Sequence, residues 1–293
     1  MFELDEEPRN QKVVFFRLSR AIRAAIYLIV LLLLFVWGLR RLEMMMTFHP
    51  EPYRPGPAWD LPANGEEVWI EVARGERIHG WYLKFPGHSS PASIVYFHGN
   101  GGNLSYSAGI AQALAHNVGD TLIVDYRGYG RSDGEAEAEE GLYADGEAAY
   151  EYLVRSRGVA PERIVLYGQS LGAAVAIDLA SRRTCGALIV ESGFYSAGEM
   201  GKIALPWLPE VVHRLARNRF ESGRKIGMAQ CPALVMHGTH DDVIPFDQGR
   251  MLFQAAREPK QWIEAPGGDH MLFTSRDEAF RKRIFQFIDD RMK

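Results

Sequence analysis

Between residues 93 and 265 six short β-rich segments recur, several almost wholly apolar, and most are separated by stretches with helical periodicity. The segments are Ser93–His98, Thr121–Tyr126, Arg163–Tyr167, Ala187–Glu191, Ala233–His237 and Lys260–Ala265; Asp145–Ser156 and Leu171–Ser181 carry the helical pattern. A strand that is apolar on both faces has no side to give to water. Alternation of such strands with helices therefore predicts a mainly parallel sheet covered on both faces. Ligands of such sheets bind beyond the carboxyl ends of the strands, and that is where chemistry is to be sought. Upstream, Glu67–Val72 and Ile78–Leu83 alternate around Arg74-Gly75-Glu76 and predict an opening antiparallel hairpin. A chain of 293 residues accommodates one large α/β domain and a small appendage.

The appendage is amino-terminal. Ala24–Leu39 is an apolar run without charge or proline, about 24 Å long as a helix against a hydrocarbon core of about 30 Å. Arg23, Arg40 and Arg41 bracket it, and Tyr27 and Trp37 suit interfacial positions. A buried core helix would show a polar face, and this run has none. A signal peptide is the stronger rival, but Arg40-Arg41-Leu42-Glu43-Met44 offers no small-x-small cleavage site. Arg9, Lys12, Arg17, Arg20 and Arg23 precede the run, against Arg40, Arg41 and Arg54 after it. That asymmetry predicts a cytoplasmic amino terminus and a domain on the non-cytoplasmic side. Pro50, Pro52, Pro55, Pro57 and Pro62 then mark a stiff, extended linker. The expected organisation is a cytoplasmic segment over 1–23, a single-pass anchor over 24–42, a proline-rich linker over 43–66 and a folded domain over 67–293.

A formal net charge of -4 gives no electrostatic reason to expect a nucleic-acid partner. Cys185 and Cys231 lie far apart and match neither a disulfide framework nor a zinc site, so they read as buried structural thiols.

Gly-x-Ser-x-Gly occurs twice, at Gly130–Gly134 around Ser132 and at Gly168–Gly172 around Ser170. A serine nucleophile on a strand-to-helix elbow needs a strand before it and a helix directly after it. Arg163–Tyr167 and Leu171–Ile177 supply both for Ser170, whereas Ser132 runs into the polar stretch Asp133–Glu137 and reads as a loop residue. In the chain order Ser, Asp, His the base comes late. His270, in Gly267-Gly268-Asp269-His270, follows the last strand by a short glycine-rich loop, while the other eight histidines sit in the linker, the hairpin, polar contexts, strand ends or the segment 196–220. The acid belongs just after the preceding strand, where Asp241 and Asp242 are adjacent candidates and spacing from Gly238 favours Asp241. Asp269 reads as a solvated or loop-stabilising carboxylate. An oxyanion hole takes one backbone N–H from the residue after the nucleophile, Leu171, and one from the loop after the third strand, assigned to Asn100. That loop has no Gly-Lys-Ser/Thr and opens no Gly-x-Gly-x-x-Gly helix, so a phosphate cradle is a weak reading. The segment of about 196–220, with Pro206, Trp207 and Pro209, is longer than an ordinary crossover and reads as a small lid.

Four blocks carry a family resemblance: Tyr96–Asn103, Asp125–Ser132, Gly168–Gly172 and His237–Asp241. Over about residues 67–290 the chain resembles the α/β-hydrolase superfamily, especially the membrane-anchored α/β-hydrolase-domain proteins that include depalmitoylases and peptidase-like relatives. The resemblance implies a mainly parallel eight-stranded sheet, a triad aspartate at Asp241 and a structural role for Asp125–Ser132. The chain departs from the depalmitoylases in lacking their cysteine-rich amino terminus.

The chemistry expected is serine hydrolysis of a small-molecule or lipid-like acyl substrate by Ser170, His270 and Asp241. An ester or thioester is favoured over a small amide, and neither a metal nor an organic cofactor is required. A haloalkane dehalogenase would need a carboxylate in place of Ser170, and a non-catalytic scaffold would be marked by a missing triad member.

Overall fold

The computed structural model describes residues 19–72, 75–88, 90–210, 213 and 216–292. The chain divides after Leu42 into two units. Most of the amino-terminal segment expected over 1–23, and Arg74 of the expected hairpin turn, lie outside the described residues.

Helix α1 runs over Arg20–Thr47 and is long and apolar enough to cross a membrane. At 1.5 Å per residue its 28 residues extend about 42 Å. The apolar run expected over 24–39 lies inside it, and the helix continues five residues past the boundary expected at 42. None of its residues is buried within the protein.

The second unit is built on one eight-stranded sheet. Its strands are β1 (Gly65–Glu71), β2 (Arg77–Leu83), β3 (Ser93–Phe97), β4 (Asp120–Val124), β5 (Ile164–Gln169), β6 (Ala187–Glu191), β7 (Ala233–Gly238) and β8 (Lys260–Ala265). The spatial order is β1-β2-β4-β3-β5-β6-β7-β8. β1 pairs antiparallel with β2 and β2 antiparallel with β4; every other pairing is parallel. The hairpin and all six later segments thus form where the sequence pattern places them.

The period of two explains why the central strands β3 to β7 are largely apolar on both faces. Val95, Phe97, Leu122, Val124, Leu166, Val190 and Val235 enter one core, packed against Leu142, Val175 and Leu179 of the helices on that face. Ile94, Tyr96, Ile123, Val165, Tyr167, Ile189 and Met236 enter the other, against Ile110, Leu114, Ile284 and Phe287. Each fully buried aliphatic side chain contributes about 1.5–3 kcal/mol, so both faces are strongly committed.

The proline-rich segment is extended, but it is hydrogen-bonded to the domain. His49–Pro50 pairs in parallel with Gly101–Gly102, and Pro52 bridges Gly130. Glu51 N donates to Gly102 O at 3.1 Å, and Tyr53 N donates to Gly130 O at 2.8 Å. Residues 49–53 therefore strap the loop after β3 to the loop after β4.

After β6 the chain makes its long excursion. It carries α2 (Ala197–Ala204), capped by Ser196, and α3 (Ser222–Ile226). The two limbs are tied at their base, with Ala197 N donating to Arg219 O at 2.9 Å and Gly223 N to Tyr195 O at 2.8 Å. Part of the expected lid, at 211, 212, 214 and 215, lies outside the described residues.

Candidate active site

The expected residues gather at one edge, beyond the carboxyl ends of β3, β5, β7 and β8. Ser170 follows β5 directly and is the N-cap of α4 (Leu171–Ala180). Its backbone sits at φ 56°, ψ -118°, a sparsely populated conformation for a residue with a Cβ, which costs about 1–3 kcal/mol and persists only where the surroundings enforce it. They do so by close approach. A Cβ at Gly172 would lie 2.0 Å from Phe97 O, and one at Gly168 would lie 2.2 Å from Gly172 O. Only glycine permits β5, α4 and the end of β3 to meet at that turn. Ser170 N donates to Glu191 O at 2.9 Å, fixing the turn to β6.

Leu171 opens α4, and the first N–H groups of a helix have no intrahelical acceptor. The loop carrying Asn100 abuts the same turn, since a Cβ on Gly99 would lie 3.5 Å from Ser170 Cβ. Asn100 is held by its side chain. Its Oδ1 accepts from His49 N at 3.0 Å and from Tyr129 OH at 2.9 Å, and its Nδ2 lies 2.9 Å from His49 Nδ1.

Asp241 and His270 are brought together, with His270 Nδ1 2.8 Å from Asp241 Oδ2. The Asp241 side chain is buried, and its other oxygen accepts from Val243 N at 2.9 Å and Ile244 N at 2.8 Å. Burial pushes this carboxyl up, but hydrogen bonds from His237, His270 and Ile244 N outweigh it and hold the group well below the usual carboxylate range. His237 is a residue that the sequence reading passed over. Its Nε2 lies 2.9 Å from Ile244 O and 3.2 Å from Asp241 Oδ2, so it supports the loop that aims the aspartate. Asp242 is exposed. Asp269 stabilises its own loop, accepting from Met271 N at 3.0 Å and Ser275 Oγ at 2.6 Å.

Ser170 Oγ has no hydrogen bond to His270 among the described residues, but the residues flanking the two are in contact. Gln169 Nε2 reaches Met271 Sδ at 3.1 Å. Glu191 gives a second tie. It is fully buried, with its carboxyl accepting from Tyr167 OH at 2.5 Å and from Phe273 N at 3.0 Å. Burial raises its pKa above the ordinary glutamate value despite those bonds. Glu191 thus joins the serine turn, through its backbone oxygen, to the segment after His270. Its position at the end of an apolar strand was the one available sign.

Ser132 lies apart from this cluster, its hydroxyl donating to Asp125 O at 2.8 Å and accepting from His79 N at 2.9 Å. It secures the loop after β4.

Residues 88–227 match the family model described as serine aminopeptidase, S33. Uncharacterized protein Rv2307c of Mycobacterium tuberculosis is 38% identical over 239 residues, covering 81% of this chain and 83% of the relative. The α/β-hydrolase domain-containing protein WAV2 of Arabidopsis thaliana is 29% identical, covering 76% and 78%. Among solved structures, the Pyrococcus furiosus esterase Pf2001 superposes with a TM-score of 0.67 at 17% identity, covering 84% of this chain and 98% of the esterase. The chain is an α/β-hydrolase. An acetyl xylan esterase from Paenibacillus sp. R4 shares the fold at a TM-score of 0.64 and 18% identity, covering 87% of this chain and 93% of that one. Within the α/β-hydrolase fold the strand order above places Ser170, Asp241 and His270 after β5, β7 and β8, three strand ends on one rim.

Proposed function

We propose that this α/β-hydrolase is a membrane-anchored serine hydrolase acting on esters or thioesters of a small-molecule or lipid-like acyl group. The observation that carries the reading is the Asp241–His270 pair, its carboxylate buried, on the same rim as a serine held at φ 56°. With His270 Nδ1–H donating to Asp241, Nε2 is the ring nitrogen left to take a proton. Ser170 Oγ attacks the acyl carbonyl while its proton passes to His270 Nε2, and Asp241 stabilises the imidazolium. The N–H groups of Leu171 and Asn100 stabilise the tetrahedral oxyanion, each by about 3 kcal/mol by the measure of known oxyanion donors. The proton then goes to the leaving group, and water releases the acyl enzyme through the same groups.

A small amide is the second reading, favoured by the serine-aminopeptidase description of the matching family model. Helix α1 serves as the anchor, with the amino terminus cytoplasmic and the domain on the other side, as the arginine asymmetry favours.

The test is turnover by the full-length protein in detergent of matched nitrophenyl esters, acyl thioesters and aminoacyl amides. Higher kcat/KM on esters or thioesters supports the first reading, and preference for amides the second. Folded protein that hydrolyses none of them refutes both.

A further inference from the structure

Cys185 and Cys231 stand at the sheet edge opposite the candidate site. Each precedes its strand by two residues, Cys185 before β6 and Cys231 before β7. These strands are parallel neighbours, with Leu188 paired to Ala233 and Leu188 N donating to Pro232 O at 2.9 Å. The register therefore brings two residues separated by 46 positions to adjacent places, with Sγ atoms 2.6 Å apart. The two are buried, free thiols, and they are in contact.

The Cys185 thiol donates to Cys231 Sγ, and that bond, together with burial, pushes the Cys185 thiol up. A cavity of about 280 Å³ opens beside them, lined by Arg183, Thr184, Cys185, Met228 and Cys231 among others. Both cysteines line it, and as residues they are 7% and 8% exposed.

We propose that Cys185 and Cys231 are a disulfide-forming pair that cross-links the bases of β6 and β7. The oxidant is a disulfide, either a low-molecular-weight one or a thiol–disulfide oxidoreductase. Cys231 thiolate attacks one oxidant sulfur, forming a mixed disulfide and expelling the first oxidant thiolate. Cys185 thiolate then attacks Cys231 Sγ, forming the internal bond and expelling the second thiolate. The two protons pass to the released thiols, and two electrons move from the cysteine pair to the oxidant. The closed loop contains β6 and the excursion that carries α2 and α3, so the bond fastens both ends of that segment at the sheet edge away from Ser170. Such a cross-link suits a domain outside the cytoplasm, and it stands whether or not Ser170 is the nucleophile.

Full-length protein in detergent is incubated with excess oxidised glutathione, quenched in acid, denatured and tagged with a maleimide-polyethylene glycol; a parallel sample is digested without reduction for mass spectrometry. Oxidised wild type is expected to take no tag, carry no glutathione and yield a linked peptide pair containing Cys185 and Cys231. Dithiothreitol is expected to restore two tags. Cys185→Ser and Cys231→Ser are expected to yield no internal link, each leaving one cysteine that is tagged or glutathionylated. Oxidised wild type should also melt several degrees above the reduced form, a difference absent from the double Ser variant. Two tags after oxidation, or glutathione on each cysteine without a link, would overturn the proposal.

Discussion

His49 and Asn100 are joined twice, His49 N donating to Asn100 Oδ1 at 3.0 Å and Asn100 Nδ2 lying 2.9 Å from His49 Nδ1. The segment that follows the apolar helix thereby holds the side chain of the residue whose N–H is proposed to receive the oxyanion. His49→Ala removes the side-chain bond and loosens the strap. Each lost hydrogen bond is worth about 1 kcal/mol, so kcat should fall about fivefold to tenfold with KM nearly unchanged, because the effect falls on the transition state. His49→Asn, which can restore a side-chain contact, should recover part of the loss. Equal effects of both substitutions on KM alone would contradict a positioning role.

Asp241→Asn tests the acid. The amide cannot accept from His270 Nδ1 as a buried carboxylate does, and it disfavours the tautomer that leaves Nε2 free. By analogy with the same change in another serine-hydrolase triad, kcat should fall about 10⁴-fold near neutral pH. Asp242→Asn, at an exposed position, should leave kcat within about twofold. Steady-state kinetics on one ester checks both, and reversal of their order would move the acid to Asp242.

Glu191 gives a pH prediction of defined sign. Its folded pKa lies above the ordinary glutamate value of about 4.3, chiefly through burial. As pH rises through that window the unfolded chain releases the proton while the native chain keeps it, so this group lowers stability progressively toward its folded pKa. Glu191→Gln carries no such penalty and retains an oxygen to accept from Phe273 N. Its Tm minus that of wild type should become more positive between pH 4 and pH 7. A difference that shrinks over this range would contradict the assignment.

Gly172→Ala addresses the turn itself. The added Cβ would lie 2.0 Å from Phe97 O, a backbone atom in a fully buried strand. Overpacking of this kind costs about 1–3 kcal/mol or more, and a thermal melt should show Tm lowered by several degrees. An unchanged Tm would mean that α4 and β3 are not so closely apposed.

The sheet was legible because its signal is local and redundant: each strand is a short apolar run feeding two cores, so every residue of Ile94–Phe97 votes for the same answer. The gathering of Ser170, Asp241 and His270 on one rim was legible through their positions relative to strand ends. The strap was not, because His49–Pro50 pairs with only two residues, Gly101 and Gly102, each 52 positions away, and its prolines read equally as a free linker. Glu191 and His237 were missed because a polar residue closing an apolar strand looks the same whether it faces solvent or holds a loop. The Cys185–Cys231 contact depends on the β6–β7 register, which no spacing rule encodes.

The central claim is that Ser170 is the nucleophile. The direct measurement is fluorophosphonate labelling of the folded full-length protein, with the modified residue mapped by peptide mass spectrometry. The account predicts a single adduct on Ser170 and no labelling of Ser170→Ala at unchanged Tm. An adduct on Ser132, or labelling that persists in Ser170→Ala, would contradict it.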